Sequence, residues 1–378
     1  MSILTQLTGG FRQTLRNQLP VLLRPFNLQL LDRDQTQAFL QPSLLTTNPG
    51  DSLELASVTD LVHPATRIFS PLQLVNDPTY VWAYQNQGLT VRQRPNGSLT
   101  IGPHILDTDF GAMSVVTDLF RVHRRAVVEG QTVLAPWTHY WGGYYDYLFF
   151  VAAKLCRMKE ALPEAVFANA LVSYPLLHTP FETAILEQLG INDHNRIDSR
   201  RYSVRGERWL VGNAERSFFF PSQADIALLK KHLFQPPTPR PDAPARIYIS
   251  RAGRRRVLNE TALMAMLVRY GFTLIEDKPR SLSEQMALYG QASFIVGPHG
   301  ASFANMLWCQ PGTQLVELFA PTYYPKYYWY LAQVLGVGYW AHSAGWLGVD
   351  SQGDVDADLL VDVAALEGQL VRLLESQG

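Results

Sequence analysis

The sequence predicts an α/β protein whose C-terminal part is a doubly wound parallel sheet. Two observations carry that reading. From residue 247 onward, short apolar runs alternate with helix-like runs of roughly ten residues. That is the signature of βαβ units and of a parallel sheet covered on both faces. Just before it, QPPTPRPDAPA (235–245) holds five prolines in eleven residues, which neither a helix nor a central strand tolerates. The run reads as a linker. A chain of 378 residues is comfortable for two domains.

Taken in order, 1–40 reads as an N-terminal arm. Its first nineteen residues, MSILTQLTGGFRQTLRNQL, are weakly amphipathic, and only basic charges occur through Arg24. Residues 41–236 form a first domain. Within it, 67–102 reads as short strands and turns, with a hairpin-like Pro95-Asn96-Gly97 turn. Residues 144–162 and 181–189 read as helices, and 207–220 as two short strands. Residues 237–345 form the second domain. Strands are expected at 247–250, 272–276, 294–296, 315–319 and 339–342, and helices at 260–270, 282–291, 301–308 and 327–335. The tail, 346–378, carries a helix over 357–374, with apolar residues at 359, 360, 363, 366, 370, 373 and 374. Packing of that tail back on the first domain is one expectation for it.

Composition narrows the function classes. The apolar fraction is 47% and the charged fraction 17%, with a formal net charge of −1. This implies large cores and no nucleic-acid partner. Cys156 and Cys309 form no metal-binding or disulfide spacing, so both are expected as buried thiols in a reducing compartment. No run approaches the length of a membrane-spanning helix, and the N-terminus lacks the apolar core of a secretory signal. A cytoplasmic protein is expected, with peripheral contact at the inner membrane face as an alternative for the basic arm.

The chemistry concentrates at two turns of the alternating half. FIVGPHGASFANMLWCQPGTQLVELF (294–319) runs strand, Gly297-Pro298-His299-Gly300 turn, helix, strand. Such a strand-to-helix turn offers free backbone N–H groups to an anion, and His299 and Asn305 add side-chain donors. YISRAGRRRVLNE (248–260) ends another strand with Arg251, followed by Arg254, Arg255 and Arg256. Planar guanidinium groups suit a diphosphate. Both turns fall at the carboxyl ends of strands, where ligands of such sheets sit. Asn259 and Glu260 are expected to cap the helix that follows.

These segments resemble glycosyltransferase family 61. The family's YxSR…R…NE stretch matches 248–260. Its run of GF, an acidic strand end, SxxEQ, VGxHGAxxxNxxF and PGTxxxE matches GFTLIEDKPRSLSEQMALYGQASFIVGPHGASFANMLWCQPGTQLVEL (271–318), with Trp308 in place of the usual phenylalanine. The resemblance is specific over about 75 residues and weak over the first 230. It implies a GT-B-like fold, with two Rossmann-like domains facing across a cleft, and a nucleotide-sugar donor, expected to be UDP-linked, with no further cofactor. The lack of a secretory signal suits a bacterial member.

Roles follow from the chemistry and the resemblance together. Arg251, with Arg256, would neutralise the diphosphate. His299 and the N–H groups of Gly300 and Ala301 would stabilise the leaving nucleotide, with Asn305 at the same corner. Glu317 would bond ribose hydroxyls or line the hinge. Glu284 and Gln285 would support the site or pair with Arg251. For the acceptor base, THYWGGYYDYLFF (138–150) resembles the family's NYxHWxxDxLP motif. Asp146 matches its acid and is the first candidate; His139, at the asparagine position, is the second. Gly142-Gly143 stands where the family has His-Trp, and Leu148-Phe149 where it has Leu-Pro. Two DxD triplets, 107–109 and 354–356, resemble metal-binding pairs, but two carboxylates make a thin hard-cation site. The second is expected to cap the tail helix, and no metal is expected. The reading is an inverting, metal-independent transferase acting on a glycan or glycoconjugate hydroxyl. A non-catalytic nucleotide- or glycan-binding relative is the alternative.

Overall fold

The computed structural model describes residues 21, 23–86, 88–109, 125–137, 142–214, 220–234, 243–343 and 354–376. The chain forms two compact units, 1–51 with 76–233, and 52–75 with 234–378.

The first unit is built on a six-stranded sheet. Its strands are β1 (Leu44–Asn48), β2 (Thr79–Gln85), β3 (Ala126–Ala135), β4 (Leu171–Tyr174), β5 (Arg196–Asp198) and β6 (Tyr202–Gly212). The order is β5-β4-β3-β6-β2-β1. The first four strands run parallel, and β2 and β1 are antiparallel additions. The parallel part is the βαβ signature, which the residue pattern showed only in the second half and the family resemblance alone implied for the first. Where two short strands were expected over 207–220, β6 is one long strand. It is joined to β3 along its whole length.

Helix α1 follows β3. It starts as Tyr144–Asp146, passes through a π-helical stretch at Tyr147–Ala152, and ends as Ala153–Ala161. Everything from Tyr147 to Met158 is buried, including Lys154 and Arg157. Those two charges are tolerated because each meets a buried carboxylate, Asp109 at 2.8 Å and Asp225 at 3.0 Å. The first DxD triplet is thereby engaged with protein groups, since Asp107 Oδ1 accepts from the Asp109 N–H at 3.2 Å. Helices α2 (Pro180–Gln188) and α3 (Gln223–Leu233) complete this unit.

The second unit has a five-stranded, all-parallel sheet. It comprises β7 (Arg246–Ile249), β8 (Thr273–Ile275), β9 (Phe294–Pro298), β10 (Gln314–Phe319) and β11 (Gly338–Ser343), in the order β8-β7-β9-β10-β11. Helices α4 (Glu260–Arg269) and α7 (Val363–Glu375) cover one face through Leu263, Met266, Leu366 and Leu370. Helix α5 (Leu282–Gln291) and helix α6 (Tyr327–Leu335) pack on the 3-10 helix Ala301–Trp308. In this order the strands reverse direction of progression between β7 and β9, the switch point at which α/β sheets bind ligands.

Segment 52–75 completes the second unit, a crossing that the sequence reading did not foresee. Leu61 N donates to Ala341 O at 2.8 Å, extending the β11 edge. Buried Asp60 accepts from the N–H groups of Ser343 (2.6 Å), Val62 (2.8 Å) and His63 (2.9 Å), and meets His342 at 3.2 Å.

The tail also differs from expectation. Helix α7 begins at Val363, capped by Asp362, whose Oδ1 accepts from Ala365 N at 3.0 Å. Residues before it run extended beside the β7–α4 loop, bonded from Leu359 N to Arg256 O and from Leu258 N to Leu359 O. Asn259 spends its side chain on both backbone groups of Val361 and does not cap α4. Asp356 pairs with Arg254 and is no cap for α7. The apolar stripe of α7 is buried in one cluster with α4 and with Leu61 of the 52–75 segment, within the second unit.

Candidate functional site

The switch point of the second unit gathers the sequence's strongest candidates. Strand β7 ends at Ile249, and Arg251 lies two residues beyond. Strand β9 ends at Pro298, and His299 is next. Arg251 Nη1 donates to His299 O at 3.0 Å, and its Nε donates to Arg254 O at 3.0 Å. The guanidinium therefore lies across the turn. Gly300 is what makes room: a Cβ there would sit 1.5 Å from Arg251 Nη1. Its backbone is extended, so the demand for glycine is steric rather than conformational. From Ala301 the chain enters the 3-10 helix, whose first N–H groups have no partner within the helix.

His299 is buried. Its Nδ1 shares a 2.5 Å hydrogen bond with Glu317 Oε1 on β10, leaving Nε2 as the ring nitrogen for other partners. The ring is surrounded by Phe319, Tyr323, Tyr327 and Tyr328, with centroids 5.2 to 6.0 Å away. Burial, and then the charges of Arg255, Arg251 and Arg254, hold the imidazole well below its usual range, so it is neutral near pH 7. Burial likewise pushes Glu317 up, to about 8. Although the contact has ion-pair geometry, both partners are driven toward their neutral forms.

Glu317 is fully buried, and its second oxygen accepts from Tyr339 OH at 2.5 Å. One of its oxygens is thus engaged by His299 and the other by Tyr339. Asn305 and Gln285 bond each other at 2.7 Å, and Asn305 also bonds Ser302 O and Trp308 Nε1. They brace the 3-10 helix from beneath. Glu284 forms a capping box with Ser281 at the start of α5. Glu260 accepts from Tyr248 OH and Ser250 Oγ, both at 2.8 Å, and so steadies the end of β7.

The arginines separate sharply. Arg254 pairs with Asp356 at 2.8 Å, and Arg256 with Asp358 at 2.6 Å; all four are partly exposed. Arg255, which the sequence reading passed over for Arg256, turns inward. It is 7% exposed. Its Nη1 donates to Val355 O at 3.0 Å, and its guanidinium lies 5.5 Å over the Tyr323 ring. Its Nε is buried without a hydrogen-bond partner. Its φ is 55°, in the left-handed region where a non-glycine residue is strained. Among the described residues, no carboxylate lies within 4.0 Å of Arg251 or Arg255. Burial depresses both guanidinium pKa values from their usual height. A strained, desolvated arginine without a counter-ion was not legible from an RRR run, because consecutive residues in a loop point in unrelated directions. The charge pattern of 354–358 holds a partial signal: two acids there take up two of the three arginines.

In the first unit, Asp146 sits in the first turn of α1, after β3. Burial raises its carboxyl to about 7. A Cβ on Gly143 would lie 2.7 Å from Asp146 Oδ2, so glycine at this position lets the carboxylate fold back over the helix start. His139 lies outside the described residues.

The family described as Glycosyltransferase 61 matches residues 66–316. No curated protein matches the chain. That match spans well over half of the sequence and both of the turns described above, from Asp146 through Arg251 to His299. The chain belongs to glycosyltransferase family 61.

Proposed function

We propose that this glycosyltransferase is an inverting, metal-independent GT-B enzyme, with a nucleotide-sugar donor, UDP-linked, held by the second unit. The observation that carries the reading is the pair of desolvated arginines, Arg251 and Arg255, with no carboxylate within 4.0 Å among the described residues, beside neutral His299. A diphosphate supplies the missing charge, bonded by both guanidinium groups and by the N–H groups from Gly300 and Ala301. His299, held through Nδ1 by Glu317, offers Nε2 to the leaving group. The acceptor, a glycan or glycoconjugate hydroxyl, gives its proton to Asp146, and its oxygen attacks the anomeric carbon. The bond from that carbon to the diphosphate breaks, and the electron pair passes to phosphate. Cationic side chains then do the neutralising that a divalent ion does elsewhere. Two buried cysteines outside any disulfide fit work on the cytoplasmic side.

The test is a thermal-shift panel of nucleoside diphosphates and nucleotide sugars. At 100 times Kd, a ligand of the native state alone adds roughly 2.7 kcal/mol, a rise of several degrees in Tm. One nucleotide family is expected to give it, with turnover persisting in chelator. No shift from any of them at millimolar concentration rejects the donor site, and manganese-dependent turnover rejects metal independence.

A further inference from the structure

The first unit carries a second group of polar side chains at the carboxyl edge of its parallel strands. After β4 the chain turns through His178, whose φ is 56°. This is a strained, left-handed geometry for histidine. Buried Glu182 holds the turn in place. Its carboxylate accepts from Tyr174 OH (2.7 Å), Leu177 N (3.0 Å) and His178 N (2.7 Å). Tyr174 OH in turn shares a 3.0 Å bond with Tyr147 OH, one residue beyond Asp146. A continuous buried network therefore runs from the start of α1 to the strained turn.

The imidazole itself is half exposed. Its Nε2 meets Asp198 Oδ2, at the end of β5, at 3.1 Å. The same carboxylate receives Arg200 Nε at 3.0 Å on Oδ1 and Arg200 Nη2 at 3.1 Å on Oδ2. Burial alone would raise Asp198, but these bonds hold it below its usual range. Ionised Asp198 can only accept, so Nε2 donates in this bond, and in the neutral imidazole Nδ1 is then the acceptor. Arg200 retains Nη1 as a donor. One carboxylate thus fixes an acceptor-only and a donor-only group side by side. The Tyr144 and Phe181 rings, 5.2 Å apart and edge to face, stand at the neighbouring α1 and α2 starts.

We propose that His178 and Arg200 form a sugar-binding subsite for the acceptor, reading two neighbouring hydroxyls of a neutral pyranose. One hydroxyl donates to His178 Nδ1, and the other accepts from Arg200 Nη1. A sugar suits the pair because adjacent hydroxyls can donate to one group and accept from the other, and aromatic edges suit its apolar face. This reading rests on the transferase assignment, but not on the donor site.

The experiment is an oligosaccharide array probed with the full chain, its His178→Gly variant and its His178→Asn variant. Glycine adopts positive φ freely and asparagine tolerates it, so the turn survives in both. Wild-type protein is expected to bind a class of neutral glycans, and His178→Gly to bind it at least tenfold more weakly. Wild-type protein that binds no glycan overturns the proposal, as does undiminished binding in both variants. The nucleotide-induced Tm shift, read on the same samples, is expected to be unchanged. That shift reports on the donor reading separately.

Discussion

Among single residues, Arg255 makes the sharpest claim about function. It combines a left-handed backbone, a buried Nε without a partner, and a guanidinium held over Tyr323. Strain of this kind costs on the order of 1 kcal/mol or more and persists where surrounding structure enforces it. A substitution that removes both strain and charge separates stability from binding. Arg255→Gly is expected to leave the ligand-free Tm unchanged or raise it, since glycine adopts φ of 55° without penalty. The same variant is expected to weaken nucleoside diphosphate binding at least tenfold, because a charge-assisted hydrogen bond contributes roughly 1.5–3 kcal/mol. Arg256→Ala, which loses only an exposed pair with Asp358, is expected to bind within about threefold of wild type, as exposed, solvent-screened pairs contribute little. Calorimetric titration of both variants decides the matter; equal losses would return Arg256 to the site.

Among the elements, helix α1 was read correctly in its extent but not in its character. Its apolar run predicted burial, whereas the π-helical stretch and the buried Lys154 and Arg157 follow from partners far away in sequence, Asp109 and Asp225. The turn after β9 was legible because glycine spacing and a following apolar run are local signals. The occupation of Glu317 was not, because Tyr339 arrives from the next strand. At the start of α1, burial raises the Asp146 carboxyl from its ordinary 3.8 to about 7. The folded state therefore holds a proton that the unfolded state releases between those values. Stability falls as pH rises through that window and levels off above about 7. Asp146→Asn removes this penalty, so its advantage in Tm over wild type is expected to grow from about pH 4 to about pH 7. The limit is roughly 4 kcal/mol before discounting for partial exposure. Turnover moves the opposite way. As a base, Asp146 works when ionised, so wild-type kcat/KM is expected to rise through about pH 7. A variant whose advantage over wild type is no larger at pH 8 than at pH 4, or one that turns over normally, would remove Asp146 from this role.

For the whole molecule, the chain path matters more than any single element. The proline-rich run beside Leu233 made one break between the units visible, since five prolines forbid regular structure. The excursion of 52–75 left no such mark. Its short strands read like those around them, and its destination is set by tertiary partners: Ala341, His342 and Ser343 for Asp60, and Phe319 and Trp329 for Phe69. A fragment cut at the linker, 234–378, would keep the whole parallel sheet yet lose this segment. Ser343 N–H and His342 would then lack their carboxylate, and Phe319 and Trp329 would lose the Phe69 ring packed between them. Each orphaned buried donor costs roughly 1–3 kcal/mol, and a Phe truncation in a core roughly 3–5. The sum is comparable to the entire stability of a domain of this size. Fragment 234–378 is therefore expected to lack a cooperative thermal transition and a dispersed proton spectrum, and to acquire both when 52–75 is fused to it through a flexible linker. Within the full chain, Asp60→Ala is expected to lower stability by roughly 3 kcal/mol or more. Asp60 is held below its usual range by His342 and backbone N–H groups that outweigh burial. Its contribution is thus complete above about pH 4 and is lost as the solution is acidified further. Cooperative melting of 234–378 alone, at the temperature of the fused form, would show that the crossing is dispensable.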